Sequence, residues 1–149
     1  MMVWYRKEGM EPLCRIEVLA PCIISLVMNL LIWNSRGALK PSFQNYIHEL
    51  SRRHDLAILV IMETKLGGSK AKEVTDRLPF DGAIHTKTIG LTGGLWLLWN
   101  DDKVEIVELA KTEQEIHVEV KVRASDLSWI FSAIYASLGV KRDAFYRII

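Results

Sequence analysis

The sequence predicts an α/β (α+β) fold in which a mixed central sheet carries helices packed on its face. Two continuous apolar runs of strand length, Met28–Trp33 and Leu56–Met62, flank a segment with helical periodicity. A strand, helix, strand order of this kind usually means two parallel strands joined by a right-handed crossover. Beyond residue 82 the pattern changes to short strands with alternating apolar and polar residues, separated by turns rich in Gly or Asp.

The first three elements follow from the spacing of apolar residues. Met28–Trp33 ends at Asn34 and the turn Ser35-Arg36-Gly37. In the segment 41–54, Phe43, Ile47 and Leu50 recur at helical spacing, and Pro41 lies near the first turn, where its missing N–H costs little. Leu56–Met62 is apolar throughout, as expected of a strand buried on both faces. Both strands are therefore predicted to be central in the sheet.

The later elements are shorter. Ser69–Arg77 is predicted to be a short helix capped by Ser69 and ended by the break at 79–82. An antiparallel meander is predicted to extend the sheet. Its strands are Ala83–Thr88, Gly94–Trp99, Val104–Ala110, Ile116–Val122 and Trp129–Ala136. Val140–Ile149 has the pattern of a helix that has just begun, so the predicted fold is truncated at the C-terminus.

The composition limits the class of protein. The chain has 149 residues, which suits one domain, and 50% of them are hydrophobic, which argues against disorder. Lys and Arg number 19 against 18 Asp and Glu, so any DNA binding must be local. Cys14 and Cys22 have neither zinc-site spacing nor disulfide density, which fits an intracellular location in the nucleus or cytoplasm.

Residues 1–27 are predicted to form a leader of unknown role, with the domain beginning at Met28. The apolar run Val18–Trp33 contains Pro21 and Asn29 and is shorter than the roughly 20 residues that cross a bilayer. No membrane association is therefore predicted, although anchoring through this run is the third and weakest functional hypothesis.

Two polar residues end the two central strands. Asn34 follows the first strand and Glu63 follows the second. Neighbouring strands lie about 4.8 Å apart, and open α/β sheets bind ligands at the carboxyl edge. Asn34 and Glu63 are therefore expected to converge there. One carboxylate and one amide oxygen suit a hard cation such as Mg²⁺, which keeps several waters and takes few protein carboxylates.

Four segments in order carry a resemblance to a known family. They are Asn34 within WNSRG, Glu63 within METK, the Gly93-Gly94-Leu95-Trp96 strand and Ala133-Ile134-Tyr135. From Met28 onward the chain resembles the N-terminal half of the endonuclease domain of plant non-LTR (LINE-type) retrotransposons, in the endonuclease/exonuclease/phosphatase superfamily. The resemblance implies a partial DNase I-like fold and DNA cleavage that depends on Mg²⁺, with Mn²⁺ as an alternative.

The same resemblance assigns roles to three residues. Glu63 is the principal metal ligand, Asn34 helps to order the metal or its waters, and Tyr135 reaches the scissile phosphate. Arg36 stands where abasic-site endonucleases often have Asp, which favours the retroelement branch over repair enzymes. DNA is the expected partner, together with a C-terminal half or a reverse transcriptase.

Two motifs of that family do not occur in this sequence. One resembles Gly-Asp-Phe-Asn and the other is Ser-Asp-His, and together they supply the groups that activate water and the leaving oxygen. His48, His54, His85 and His117 all precede the place where these motifs belong. Without them, the chain alone is predicted to have negligible turnover. The alternative function is a non-catalytic remnant that binds nucleic acid or protein.

Each residue also has a simpler interpretation. Glu63 resembles any strand-end carboxylate facing solvent, and Asn34 beside Gly37 resembles a turn former. Tyr135 suits a strand aromatic, and Lys65 suits either a solvated charge or a partner of Glu63 or phosphate. Gly93 and Gly94 are predicted to be structural, and Trp96, Trp99 and Trp129 to be core residues rather than base-stacking platforms.

Overall fold

The computed structural model describes residues 2–5, 12–16, 28–88, 90 and 92–135, the first two ranges as backbone strands only. The strands of this part of the chain are β1 (Met2–Tyr5), β2 (Pro12–Ile16), β3 (Asn29–Asn34), β4 (Leu56–Met62), β5 (Gly82–His85), β6 (Leu95–Trp99), β7 (Val104–Lys111), β8 (Glu115–Val122) and β9 (Ser128–Ile134). Its helices are α1 (Ser42–His54) and α2 (Gly68–Thr75). The predicted helix at 140–149 lies outside the described residues.

The first sheet has six strands in the order β2-β1-β3-β4-β6-β5. The pair β3 and β4 is parallel and joined by α1, as the sequence predicts, and Asn34 pairs with Met62 at its end. Strand β6 runs antiparallel to β4 and to β5, so the sheet is mixed. Because β3 and β4 are flanked on both sides, the prediction that they are central is confirmed.

The first sheet is buried on both faces. Along β4 the side chains alternate: Leu59 and Ile61 pack with the helices, whereas Ile58 and Val60 pack toward the second sheet. On the helical side, Phe43, Ile47 and Leu50 of α1 are buried against β3, β4 and β6. Because alternate residues of a strand point to opposite faces, an apolar run such as β4 must be covered on both.

The second sheet corrects a prediction. Among the described residues, β7, β8 and β9 form an antiparallel meander, but it is a separate sheet of three strands rather than an extension of the first. The inward residues of β8, including Ile116, Val118 and Val120, are fully buried in the core between the sheets. The alternating pattern shows that one face is buried, but it does not say against which layer.

Smaller differences concern element ends. Helix α2 begins at Gly68 after an extended Gly67 and has no side-chain cap, so the predicted cap by Ser69 is wrong. Strands β5 and β9 are shorter than predicted, and Ala136, the predicted end of β9, lies outside the described residues. Trp96 is fully buried, and Trp99 and Trp129 are partly buried against the core, as predicted.

Two segments of the predicted leader take part in the first sheet. Strand β1 pairs parallel with β3, and β2 pairs antiparallel with β1. The division of the chain at Met28 stays a prediction. No helix of the described part of the chain is long and apolar enough to cross a membrane.

Candidate functional site

The candidate site lies where β3 and β4 end side by side. The backbone N–H of Ser35 donates to the carbonyl oxygen of Met62 at 3.0 Å, which continues the parallel pairing one residue beyond Asn34. The buried Ser35 hydroxyl also donates to that oxygen at 3.1 Å. These bonds hold the two strand ends together. Asn34, the last residue of β3, and Glu63, the first residue after β4, therefore lie at one edge of the sheet.

Glu63 has a strained backbone that its neighbours hold in place. Its φ is 53°, in the left-handed region that residues other than Gly rarely adopt. The backbone N–H groups of the next two residues are hydrogen-bonded. That of Thr64 donates to the carbonyl of Gly94 at 3.2 Å, and that of Lys65 donates to the carbonyl of Gly93 at 2.9 Å. Thr64 is fully buried. The loop after β4 is therefore fixed to the start of β6.

Gly94 is required by this contact. Its φ is +91°, and a Cβ at this position would lie 2.2 Å from the Thr64 hydroxyl oxygen. No flexible end of a long side chain is involved, so the loop would have to move. This confirms for Gly94 the structural role, close approach of the strands, that was predicted for Gly93 and Gly94.

Tyr135 meets Glu63 from the second sheet. Its hydroxyl donates to Oε1 of Glu63 at 3.2 Å, and its backbone N–H donates to the carbonyl of Gln114 at 2.8 Å. Burial raises the pKa of the Tyr135 phenol, and the adjacent Glu63 carboxylate raises it further. The phenol therefore remains a neutral hydrogen-bond donor at physiological pH, and it orients the carboxylate.

Asn34 takes part in a local turn. Its Oδ1 accepts a hydrogen bond from the backbone N–H of Arg36 at 3.2 Å, and Arg36 has a φ of 52°. The turn interpretation of Asn34 is therefore correct, but it does not exclude the ligand interpretation. An amide oxygen has two lone pairs, so one remains for a second partner.

The described residues contain no group of three or more His, Cys, Asp or Glu side chains that could hold a metal ion. At the strand ends the available donors are the Glu63 carboxylate and the Asn34 amide oxygen. Both are hard oxygen donors, and Mg²⁺ commonly takes one or two protein carboxylates while its other positions hold water and substrate phosphate. The donor set therefore fits Mg²⁺ bound together with a phosphate.

This architecture is similar to that of a solved nuclease. The structure of the endonuclease domain of TRAS1, a telomere-specific non-LTR retrotransposon, matches with a TM-score of 0.53 and 15% sequence identity. The chain has an endonuclease-like fold. The match covers 75% of this chain and 47% of the solved chain, so this chain spans about half the length of that domain. No protein-family model and no curated protein sequence matches it.

The sequence analysis did not identify a cluster of basic side chains around this edge. They are exposed, and none forms an ion pair with another described residue. The cluster, called here the basic edge, consists of Arg36, Lys40, Lys65, Lys70 and Lys87. Glu63 is the only acidic residue in the segments 34–41, 63–70 and 86–94, which begin at the carboxyl ends of β3, β4 and β5. That these segments share one edge follows only from the strand order. Strands β4 and β5 are both antiparallel to β6, so β3, β4 and β5 all run in the same direction and their carboxyl ends lie at the same edge.

The histidines do not join the candidate site. Among the described residues, no hydrogen bond links a histidine to Glu63, Asn34 or Tyr135. His85 pairs with the Thr75 hydroxyl at 3.0 Å, and His117 pairs with the Ser132 hydroxyl at 2.7 Å.

Ser35, Thr64 and Thr86 support the site and were also missed. All three are buried polar residues in the loops at this edge, and the Thr86 hydroxyl accepts the N–H of Leu95 at 2.9 Å. A Ser or Thr one or two residues after a strand was the available signal, because such residues bond to nearby backbone.

Proposed function

We propose that this chain carries the metal-holding half of a Mg²⁺-dependent DNA endonuclease site of the plant retrotransposon type, with residues 28–149 as the N-terminal half of that domain. On this proposal the chain binds DNA at the basic edge, and Glu63 and Asn34 would hold the cation. A bound Mg²⁺ polarises a phosphate and lowers the pKa of its water. The proposal also expects little hydrolysis by the chain alone.

The observation that carries this proposal is the environment of Glu63. Its carboxylate stands at the end of a central strand, beside the end of the strand that bears Asn34. Tyr135 orients it from the opposite layer. A solvent-facing Glu without a role does not need a left-handed backbone, a buried Thr64 and a positive-φ Gly94 to position it. Strain of about 1–3 kcal/mol per residue concentrates at functional sites.

The charge around Glu63 supports DNA as the partner. The segments that follow β3, β4 and β5 at this edge carry the five exposed cations of the basic edge and one carboxylate, although the whole chain carries a net charge of only +1. Cations that form no ion pair with another described residue are available to phosphate groups, which supply most of the affinity in DNA binding that is independent of sequence. This is the local attraction that the near-neutral composition requires.

The expectation of low turnover rests on acid–base chemistry. Hydrolysis needs a group that takes a proton from water and one that protonates the leaving oxygen. Tyr135 is a weak acid here because its pKa is raised, and it already donates to Glu63. The histidines have other partners or lie on other surfaces. The family motifs for this step are absent from the sequence.

Metal binding tests the role of Glu63. Mn²⁺ can replace Mg²⁺ as a spectroscopic probe, and its binding in the presence of a short DNA duplex can be followed by electron paramagnetic resonance. Glu63→Gln keeps the size of the side chain and is expected to weaken Mn²⁺ binding by at least about tenfold. Glu73→Gln, on the exposed surface of α2, is the matched control and should have no effect. Equal Mn²⁺ affinity for both variants and the parent chain would reject the metal site.

A nicking assay tests whether the chain alone has endonuclease activity. Supercoiled plasmid with Mg²⁺ should be nicked at the same background rate by the parent chain and by Glu63→Ala. A higher rate for the parent chain would show turnover and contradict the expected inactivity. DNA binding that is indifferent to both EDTA and Glu63→Gln would favour the alternative, a remnant that binds nucleic acid without a metal.

A further inference from the structure

Leu39 is a large apolar side chain that the fold leaves in solvent. It is 73% exposed, more than any other large hydrophobic residue whose side chain the structure describes. The other exposed ones, Val107, Leu109, Leu127 and Ile130, all lie on the second sheet or in the turn between β8 and β9. In the described part of the chain, Leu39 is therefore the one exposed large hydrophobic residue in the loops of the first sheet.

The loop that carries Leu39 is held on both sides of this residue. The preceding residue, Ala38, is buried, and its backbone N–H donates to the carbonyl of Thr64 at 2.8 Å. On the other side, the backbone N–H of Phe43 donates to the carbonyl of Lys40 at 2.9 Å. Because the backbone is already fixed, Leu39 can enter a partner without the entropic cost of ordering the loop.

The neighbours of Leu39 belong to the basic edge. Lys40 follows it directly and Arg36 precedes it by three residues, and both are exposed. Thr64, whose carbonyl holds this loop, is followed by Lys65 in the segment after β4. An apolar group beside such cations suits a partner whose anionic surface covers an apolar interior. Duplex DNA has this arrangement, with phosphates outside and stacked bases within.

We propose that Leu39 is a wedge that enters a base step of the duplex bound at the basic edge. This inference rests on the proposed function. Proteins that kink DNA insert an apolar side chain such as Leu, Met or Phe between neighbouring base pairs and partly unstack them. Steps that unstack easily, such as TA, accept a wedge at lower cost than the stiff steps of an A-tract. Leu39 is then a positioning residue that selects the DNA step held at this edge.

The test compares two short duplexes that differ only in the central step, a flexible TA step in one and a stiff AA step in the other. Fluorescence anisotropy at low salt with Mg²⁺ measures the two affinities, and energy transfer between dyes on the duplex ends measures the bend. The parent chain should bend the TA duplex and bind it about three- to tenfold more tightly than the AA duplex.

Two substitutions of Leu39 separate the wedge from a general effect of the loop. Leu39→Ser removes the apolar side chain, so it should bring the affinity ratio toward one and abolish the bend. Leu39→Met keeps a long apolar side chain and should retain both. The slope of log affinity against log salt should be the same for Leu39→Ser and the parent chain, because the phosphate contacts are unchanged.

Leu109→Ser is the matched control. Leu109 is 50% exposed but lies on β7 of the second sheet, so this variant should keep the parent ratio and bend. Both leucines are exposed, so neither substitution removes core packing. Thermal unfolding of each variant checks that the fold is intact.

The outcomes separate the two proposals. Equal, measurable binding of both duplexes by the parent chain would overturn the wedge and leave the basic edge in place. A preference for the TA duplex that survives Leu39→Ser, or that Leu109→Ser removes equally, would also overturn the wedge. Binding of neither duplex would reject the nucleic-acid function, and the wedge with it.

Discussion

The two ends of the first sheet differ in how their backbone is built. At the carboxyl edge of β3 and β4, Arg36, Glu63 and Lys65 all have left-handed backbones. Elsewhere in the described chain the only such residue other than Gly is Asp55, whose φ of 47° ends α1 in an ordinary left-handed cap. The strain at the carboxyl edge has no role in ending a helix, so it is better explained by the placement of side chains.

Charges follow the same division. Away from this edge, several lysines and arginines of the described residues form ion pairs, such as Lys72 with Asp76 and Arg77 with Glu73. At the basic edge the cations have no such pairs among the described residues. A surface that serves only solubility would mix both signs evenly. This difference is what the proposed DNA-binding role of the basic edge requires.

Gly94→Ala should produce the largest effect, because it disturbs the loop that holds Glu63. The added Cβ would overlap the buried Thr64 hydroxyl, and Ala is strained at a φ of +91°. Overpacking and strain together are expected to lower the free energy of unfolding by about 3–5 kcal/mol. Urea denaturation followed by Trp fluorescence measures this loss.

Gly90→Ala is the control for backbone strain alone. Gly90 also has a positive φ, +61°, but a Cβ there meets nothing within 4 Å. Its cost should be only about 1 kcal/mol. Equal costs for the two variants would mean that the contact with Thr64 is unimportant and that the loop after β4 is not clamped.

Local patterns predicted most of the first layer. Leu56–Met62 has the bounds predicted from its apolar run, and Phe43, Ile47 and Leu50 are buried as their spacing requires. The parallel pairing of β3 with β4 followed from the strand, helix, strand order, and it brought the ends of the strands that carry Asn34 and Glu63 together. These features depend on residues close in sequence.

The rest depends on distant contacts. Tyr135 was assigned to a phosphate by resemblance alone, whereas its bond to Glu63 spans 72 residues and two sheets. Whether β7, β8 and β9 extend the first sheet or form a second one depends on which layer packs against the buried face of β8. The alternation of apolar and polar residues does not specify that layer. The basic edge could be identified only from the strand order, because Arg36 and Lys87 are far apart in the sequence and no local pattern connects them.

Neutralising the basic edge should have the second largest effect. The double variant Lys65→Gln/Lys87→Gln should weaken binding of duplex DNA by about tenfold or more at low salt. Each lost phosphate contact should also reduce the slope of log affinity against log salt by about 0.9. Anisotropy across a salt series measures both quantities.

The matched control neutralises two cations that already have partners. Lys72→Gln/Arg77→Gln removes the same charge from α2 and the turn that follows it. It should leave the salt slope unchanged. If both double variants reduce the slope equally, DNA does not bind preferentially at the basic edge. The proposed difference between the basic edge and the paired cations is then wrong.

Tyr135→Phe should have a smaller effect that depends on pH. Loss of the bond to Glu63 is expected to lower the free energy of unfolding by about 1 kcal/mol at neutral pH. Because the folded pKa of Tyr135 is raised above its ordinary value of 10.0, its contribution is fully present below that pH and is lost as pH rises through the folded pKa. The parent and variant should therefore converge in strong alkali. A constant difference across the pH series would show that the phenol does not titrate as described.

Lys72→Gln should have the smallest effect, because it breaks an ion pair far from the strained loops. The Lys72 and Asp76 side chains are 70% and 60% exposed. Lys72 of α2 contacts the C-cap residue Asp76, four residues further along the chain, at 2.8 Å. Pairs of this kind contribute about 0.3–0.5 kcal/mol. A double-mutant cycle with Asp76→Asn, measured by urea denaturation, isolates the coupling. A value above about 1 kcal/mol would mean that paired surface charges stabilise this fold substantially.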